Sequence, residues 1–178
     1  MPKRLNRRQW LTSSAAAATA PYWFASSRVN AQPSKNDRAV AAVIGVGGRG
    51  TSMAWHQFGR HADLVAICDA DLREAERAAA TIETKLGTRP KIYQNYRELL
   101  ERSEIDVVGY ATPDHWHTKI NIDACRAGKD LYAEKPLTFA IEEGKQLRSV
   151  VHETGRVLQV GSQQRSTTHF RTACELVR

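Results

Sequence analysis

Residues 40–50 read Val-Ala-Ala-Val-Ile-Gly-Val-Gly-Gly-Arg-Gly, an apolar run that leads into a G-x-G-x-x-G pattern. The apolar run is typical of a strand buried on both faces, and the residues that follow can form a helix. In such a turn Gly45 reverses the chain, Gly47 lets the backbone approach a pyrophosphate, and Gly50 lets helix and strand pack closely. The phosphates would rest on the helix N-terminus. The residues predicted here to bind a cofactor are Gly45, Gly47, Gly48, Arg49 and Gly50.

A carboxylate at the end of the second apolar run favours NAD. A lone G-x-G-x-x-G pattern also fits a glycine-rich turn without a ligand. Asp69, however, directly follows the apolar residues 64–68 and lies nineteen residues after Gly50. A carboxylate at this position accepts hydrogen bonds from the ribose hydroxyls and repels a 2′-phosphate. The pattern therefore predicts NAD as the cofactor, in preference to NADP.

Apolar and turn patterns alternate along the rest of the chain. Six short strands separated by helices predict an α/β fold, a Rossmann doubly wound parallel sheet. Phe170, Ala173, Cys174 and Val177 fall at helical spacing and predict a further helix with an apolar stripe. The predicted strands are 40–44, 64–68, 91–93, 106–111, 130–133 and 157–160, and the predicted helices are 50–59, 72–86, 96–102, 116–127 and 141–153.

The excess positive charge is concentrated at the N-terminus. The chain has 26 Lys and Arg against 19 Asp and Glu, a formal charge of +7. Residues 1–31 hold five of the basic residues and no acid, which leaves 21 against 19 in the remainder. A nearly balanced domain argues against nucleic-acid binding. No window reaches the ~18 uninterrupted apolar residues of a membrane span.

The first thirty-one residues resemble an export signal. Residues 6–11 read Asn-Arg-Arg-Gln-Trp-Leu, which is similar to the twin-arginine motif, and a weakly apolar stretch and a small-x-small box at 29–31 follow. A basic amphipathic helix is the alternative. We expect a signal peptide over 1–31, the twin-arginine export machinery as a partner, and a periplasmic or otherwise exported protein. A polar linker over 32–38 then precedes the dinucleotide-binding domain, expected over 39–165.

Polar residues also follow the later predicted strands. The segment 112–117 reads Thr-Pro-Asp-His-Trp-His, in which Asp114 fits a helix N-cap as well as a site residue, and His115 and Trp116 fit surface positions equally well. The H-x-H pair lacks a third ligand nearby, so we expect no metal. Lys135 follows the fifth strand, where an ammonium can hold a substrate hydroxyl, although the spacing also fits a surface lysine before a turn proline.

The sixth predicted strand and the cysteines add two weaker expectations. The segment 159–165 supplies amides and the guanidinium of Arg165, which can bind hydroxyls or phosphate. Cys68, Cys125 and Cys174 are widely spaced and lie in apolar patterns, so we expect buried hydrophobic residues and neither a metal site nor a disulfide scaffold.

Together these motifs resemble the Gfo/Idh/MocA oxidoreductases from position 40 to position 178. The motifs that carry the resemblance are the glycine turn, Asp69, Thr112-Pro113 with His117, Glu134-Lys135-Pro136, and the segment 161–165 (Gly-Ser-Gln-Gln-Arg). The resemblance implies that Lys135 is catalytic and orients a sugar hydroxyl. It also places Thr112, Pro113, His117, Glu134 and Arg165 in the cofactor site.

The resemblance further implies a second, open-faced β-sheet domain that supplies an acid–base Asp and His. Since no residues follow Arg178 in this sequence, we expect that substrate domain to be absent and 166–178 to be the start of a truncated helix. The expected activity is hydride transfer on a sugar, polyol or sugar derivative, with a homo-oligomer in the full-length protein. Two alternatives remain: an NAD-dependent glycoside hydrolase of the same family, and a non-catalytic dinucleotide-binding module.

Overall fold

Strands and helices alternate through the whole of residues 38–178, which are the residues that the computed structural model describes. The expected signal peptide and nearly all of the expected linker lie outside these residues. The strands are β1 Val40–Ile44, β2 Asp63–Cys68, β3 Lys91–Tyr93, β4 Val107–Tyr110, β5 Asp130–Glu134 and β6 Leu158–Gly161. The helices are α1 over residues 48–61, α2 Leu72–Leu86, α3 Tyr96–Leu100, α4 His117–Arg126, α5 Ile141–Thr154 and α6 Thr168–Leu176. Helix α1 is α-helical over Gly48–Ser52, π-helical over Met53–Phe58 and α-helical again over Gly59–His61. Short 3₁₀ turns occupy Asp114–Trp116 and Gln163–Ser166.

All six strands are parallel and form one sheet in the order β3-β2-β1-β4-β5-β6. β1 lies in the middle and pairs with β2 on one side and β4 on the other. The chain crosses from one half of the sheet to the other between β3 and β4, so the carboxyl ends of β1 and β4 form the crevice where such sheets bind ligands. The predicted Rossmann fold is confirmed.

Local sequence sets the ends of the helices that flank this crevice. The side chain of Asp71 accepts a hydrogen bond from the backbone N–H of Arg73 at 2.9 Å and begins α2. The side chain of Asn95 does the same for Arg97 at 3.1 Å and begins α3. Gly87, with φ of +75°, ends α2 in the left-handed conformation that only glycine adopts without strain.

The two faces of the sheet pack into two separate cores. In β1, Ala41 and Val43 face α1 and α2, and Ala42 and Ile44 face α3, α4 and α5. All four side chains are buried, as the apolar run predicted for a strand covered on both faces. The first core also contains Met53, Phe58 and Ile82, and the second contains Leu99, Ile120, Leu131 and Val150.

A β-bulge interrupts the alternation of side chains in β2. Ala41 pairs with Leu64 and Ala42 pairs with Ala66, so Val65 is the extra residue. Val65 is 38% exposed, whereas Leu64 and Ala66 are buried on opposite faces of the sheet. The sequence pattern, a continuous apolar run, gave no sign of this bulge.

The last helix leaves its apolar stripe exposed. Helix α6 forms where the apolar stripe predicted it, but Phe170 is 52% exposed and Cys174 is also exposed. The prediction that all three cysteines are buried is therefore wrong for Cys174 and correct for Cys68 and Cys125. A stripe at helical spacing specifies a face of the helix, and no described element covers that face. Within residues 38–178, no helix has the length and apolar character needed to cross a membrane.

Candidate functional site

The turn between β1 and α1 has no room for side chains at its first and last glycines. Gly45 has φ of +77° and donates its N–H to the carbonyl of Cys68 at 2.8 Å. A Cβ on Gly45 would lie 2.7 Å from Cγ2 of Thr112, and a Cβ on Gly50 would lie 1.8 Å from the carbonyl oxygen of Gly45. The glycines at both positions are thus required by the close approach of helix, strand and loop.

The middle of the same turn is open. A Cβ on Gly47 or Gly48 would meet no atom within 4 Å among the described residues. The turn is held from below, because Thr51 donates its N–H to the carbonyl of Gly47 at 2.9 Å and its hydroxyl to the carbonyl of Val46 at 2.6 Å. The first turn of α1 carries no acidic side chain. Its exposed N–H groups and positive dipole end are therefore available to an anion.

A cavity of about 620 Å³ extends from this turn across the ends of β1, β2 and β4. Its size falls within the range of cofactor sites. The wall opposite Gly45 and Gly47 comes from the loops after β3 and β4. Residues that line it include Cys68, Asp69, Ala70, Asp71, Gln94, Asn95, Tyr96, Arg97, Thr112, Pro113 and Trp116.

Asp69 joins the glycine turn to the end of β2. Its Oδ2 accepts the N–H of Val46 at 2.8 Å, and its Oδ1 accepts the N–H of Asp71 at 3.0 Å. Each carboxylate oxygen has a further lone pair that faces no donor among the described residues. The side chain therefore can accept hydrogen bonds from vicinal hydroxyls of a ligand in the cavity. Next to it, burial and the charge of Asp69 raise the pKa of the Cys68 thiol to about 12, so this sulfur stays protonated.

The loop after β4 leaves one polar atom without a partner. Thr112 and Pro113 both line the cavity, and the Oγ1 of Thr112 is buried without a hydrogen-bond partner among residues 38–178. A buried hydroxyl without a partner is costly, and a bound ligand would supply one. The open glycine backbone, Asp69 and this hydroxyl fit a dinucleotide whose phosphates lie on α1 and whose ribose lies on β2.

His117 lies beneath the cavity and does not line it. It is 1% exposed, its Nε2 lies 2.9 Å from the carbonyl oxygen of Thr112, and its Nδ1 lies within hydrogen-bond distance of the carbonyl oxygen of Pro136. Both ring nitrogens are therefore occupied by backbone contacts. The structure places this predicted cofactor ligand where it holds the loops after β4 and β5 together and leaves no ring nitrogen for the cofactor.

Glu134 and Lys135 end β5 at the same edge of the sheet. The Glu134 side chain is 9% exposed and forms an ion pair with Arg49, whose Nε donates to Oε1 at 2.7 Å. The other carboxylate oxygen, Oε2, accepts the backbone N–H of Lys135 at 3.2 Å. Lys135 is exposed, and its ammonium forms no hydrogen bond or ion pair with any described residue. Arg49 and Glu134 were both predicted to contact the cofactor, and in this structure they contact each other.

The structure does not bring Arg165 to the cavity. Arg165 lies in an exposed 3₁₀ turn, and among residues 38–178 it donates only its backbone N–H, to the carbonyl of Ser162 at 3.0 Å. Gln163 from the same turn instead accepts a hydrogen bond from Nη2 of Arg49 at 2.6 Å. Asp114 and His115 are exposed. In the part of the chain that the structure describes, no group of three His, Cys, Asp or Glu side chains could hold a metal ion.

The part of the cavity wall formed by the residues after β3 was not predicted from the sequence. Tyr96 stacks edge-on against Trp116 with ring centroids 6.3 Å apart, and the guanidinium of Arg97 lies 4.6 Å from the Tyr96 ring centre. The Tyr96 hydroxyl donates to Asp123 at 2.7 Å, and burial with this bond raises its pKa to about 12. The available signal was the position of Gln94 to Arg97 directly after a strand that ends at the crevice.

Comparison with known proteins agrees with this geometry. The family model for Gfo/Idh/MocA proteins, described as oxidoreductase family, NAD-binding Rossmann fold, matches residues 40–162. The chain belongs to this family and contains its NAD-binding Rossmann domain.

Several curated relatives come from Shewanella. A glycosyl hydrolase family 109 protein 1 from strain MR-4 is 38% identical over 117 residues, which is 62% of this chain and 25% of the relative. An alpha-N-acetylgalactosaminidase from Shewanella oneidensis is 37% identical over the same length. A glycosyl hydrolase family 109 protein 2 from strain ANA-3 is 34% identical over 138 residues, 74% of this chain and 30% of the relative.

Solved structures share the fold. A myo-inositol 2-dehydrogenase from Lactobacillus plantarum superimposes with a TM-score of 0.67 at 26% identity, over 79% of this chain and 41% of that one. A scyllo-inositol dehydrogenase from Lactobacillus casei with bound NAD(H) and scyllo-inositol gives a TM-score of 0.66 at 23% identity, over the same two shares. The chain thus spans about a quarter of the length of the curated relatives and two-fifths of these structures.

Proposed function

We propose that this chain is the NAD-binding part of an NAD-dependent oxidoreductase that transfers a hydride to or from a sugar, polyol or sugar derivative. One observation carries the proposal: the glycine turn, Asp69 and Lys135 lie along the same carboxyl edge of the sheet. A cofactor laid from the Asp69 cavity across the turn would bring its reactive ring towards the end of β5. Lys135 directly follows that end, and its ammonium forms no hydrogen bond or ion pair with any residue from 38 to 178.

The residues of the chain divide the work of binding. The open backbone at Gly47 and the N-terminus of α1 would hold the pyrophosphate, and Asp69 would hold the ribose hydroxyls. The same carboxylate would repel a 2′-phosphate, which favours NAD over NADP. When bound, the nicotinamide supplies or accepts the hydride.

Lys135 would act on the substrate. An exposed ammonium on a four-carbon stem can donate hydrogen bonds to a sugar hydroxyl and orient the carbon that bears it. Because the side chain forms no ion pair with any residue from 38 to 178, no contact in that part of the chain has to break before the ammonium binds a substrate. By the family resemblance, the proton from that hydroxyl would pass to a separate acid–base Asp or His.

Titration of the chain with NAD tests the cofactor site. Tryptophan fluorescence is a suitable readout, since Trp116 lines the cavity. Loss of charge-assisted hydrogen bonds to ribose should weaken binding of NAD to D69A by about 10- to 100-fold. D63N is the matched control, because Asp63 is an exposed aspartate at the opposite end of β2 and should leave affinity unchanged. A folded wild-type chain that binds neither NAD nor NADP at millimolar concentration would contradict the proposal.

Glycoside cleavage is the second candidate for the whole protein. Relatives that are 34–38% identical over this domain are named as family 109 glycosyl hydrolases. In that reaction a sugar hydroxyl would be oxidised to a ketone by NAD, the neighbouring C–H would become acidic and the leaving group would be eliminated. Water would then add to the double bond, and return of the hydride to the ketone would regenerate NAD. The longest form of the protein that its coding DNA specifies should be assayed with polyols and with aryl glycosides. Net NADH formation supports the dehydrogenase, and release of the aryl alcohol without net NADH supports the hydrolase.

Residues 1–31 are proposed to direct the protein through the twin-arginine pathway to the periplasm. The support is the Arg7-Arg8 pair with its weakly apolar sequel. In a fractionation assay, replacing both arginines by lysine should retain the protein in the cytoplasm, whereas R4K should be exported normally. Export of the double variant at the wild-type level would refute this assignment.

The full-length protein is further proposed to form a homo-oligomer, which rests on the family resemblance alone. Light scattering on that form decides the point, and a stable monomer would refute it.

A further inference from the structure

Arg49 connects the cofactor-binding turn to the far side of the crevice. It is the second residue of α1, yet its side chain reaches Glu134 at the end of β5 and Gln163 in the turn after β6, which are 85 and 114 positions away in sequence. Nε and Nη2 both donate to Oε1 of Glu134, and Nη2 also donates to Oε1 of Gln163. The guanidinium therefore spans three loops of the carboxyl edge.

The carboxylate of Glu134 depends on this contact. Its side chain is 9% exposed, and a carboxylate at that depth is stable only with charge and hydrogen-bond partners. Among the described residues, only Arg49 donates to Oε1, and the backbone N–H of Lys135 donates to Oε2. Loss of the guanidinium would leave one oxygen without a donor, and the carboxylate would turn away from its present position.

A turn of that carboxylate would release the backbone of Lys135. The 3.2 Å hydrogen bond from the Lys135 N–H to the Glu134 carboxylate fixes the position of the Lys135 backbone, from which the side chain extends. On the other side, the carbonyl of Pro136 is held by His117. Lys135 thus lies between two backbone contacts, one with the Glu134 side chain and one between Pro136 and His117. Only the first is linked to the glycine turn, through Arg49.

We propose that Arg49 is a positioning residue that sets the backbone of Lys135 through Glu134, and that it is not a ligand of the cofactor phosphates. This proposal rests on the assignment of Lys135 to the active site. It gives the arginine of the glycine turn a role on the substrate side of the crevice, because the position of Lys135 then depends on the guanidinium of Arg49.

The test compares R49M with R77M in the 178-residue chain. Arg77 is the matched control, since it is also an ion-paired arginine but lies on the exposed face of α2. Amide hydrogen exchange of Lys135 is measured by NMR without ligand, and the dissociation constant for NAD is measured by calorimetry. R49M should speed exchange at Lys135 about tenfold, the effect of one lost hydrogen bond, and change NAD affinity by less than about threefold. R77M should change neither.

The opposite pattern overturns the proposal: NAD affinity reduced tenfold or more in R49M, with exchange at Lys135 unchanged, makes Arg49 a cofactor ligand. If R49M does not fold, R49A also removes every side-chain donor to Glu134 and is read in the same way. Exchange is measured in ligand-free protein. A wild-type chain that fails to bind NAD would therefore refute the proposed function and leave the effect of Arg49 on Lys135 measurable by itself.

Discussion

Substituting alanine for Gly50 should disrupt both the packing and the cofactor site of this domain. The new Cβ would lie 1.8 Å from the carbonyl oxygen of Gly45, against at least 3.4 Å for an ordinary contact, so about 1.6 Å must be gained by moving backbone. Gly45 cannot yield easily, because its N–H is bonded to the carbonyl of Cys68 at 2.8 Å and its φ is already +77°. The cost should reach the upper end of overpacking, about 3 kcal/mol.

Thermal unfolding followed by circular dichroism measures this cost. For a domain of this size, about 3 kcal/mol corresponds to a fall of about 10 °C in Tm. G48A is the matched control: its Cβ meets no described atom within 4 Å and it begins a helix, so Tm should stay the same or rise slightly. G47A should also keep its Tm but lose NAD affinity, because a side chain there would face the pyrophosphate. A G50A variant that melts within about 2 °C of wild type and binds NAD normally would refute the packing argument.

Two further predictions concern ionisable groups. The carboxylate of Glu143 accepts the Thr118 hydroxyl at 2.8 Å and two backbone N–H groups at the start of α5, which holds its pKa below the ordinary value of 4.5. The ionised Glu143 side chain therefore contributes fully to stability above pH 4.5. This contribution is lost as the pH falls through the lower pKa of the folded state. The urea midpoint of E143Q should lie below that of wild type at neutral pH and approach it in acid, and an equal gap at both would contradict the assignment. Burial raises the pKa of the Cys68 and Cys125 thiols, whereas Cys174 is exposed, so one of the three thiols should react with a disulfide reagent before unfolding and three after it. Rapid reaction of more than one thiol in the folded chain would count against this burial pattern.

The sequence predicted the elements whose signals are local. The apolar run before Gly45 and the helical spacing after Asp69 identified β1 and α2, because burial on two faces leaves a continuous apolar run and one-sided packing of a helix leaves a period of about 3.6 residues. Boundaries moved by a residue or two: β6, predicted over 157–160, is Leu158–Gly161. The glycine turn and Asp69 were found in the same way, since their spacing follows from the geometry of one strand–turn–helix unit.

Contacts between distant segments could not be predicted from these patterns. His117 was expected to meet the cofactor, yet its ring is held by the carbonyls of Thr112 and Pro136. Likewise, the pairing of Arg49 with Glu134 arises because β1 and β5 end at the same edge of the sheet, which no local period encodes.

The bulge at Val65 has a consequence for how this domain can vary over evolution. Removing Val65 would leave Leu64 beside Ala66, opposite consecutive residues of β1, so the ladder from Ala66 to Cys68 would keep its register. Deleting Ile67 instead would place Ala66 opposite Val43 and so move it to the other face of the sheet. Strand β2 can therefore lose one residue at this position without changing the direction in which Asp69 points, and homologues should be shorter there more readily than anywhere else in the strand.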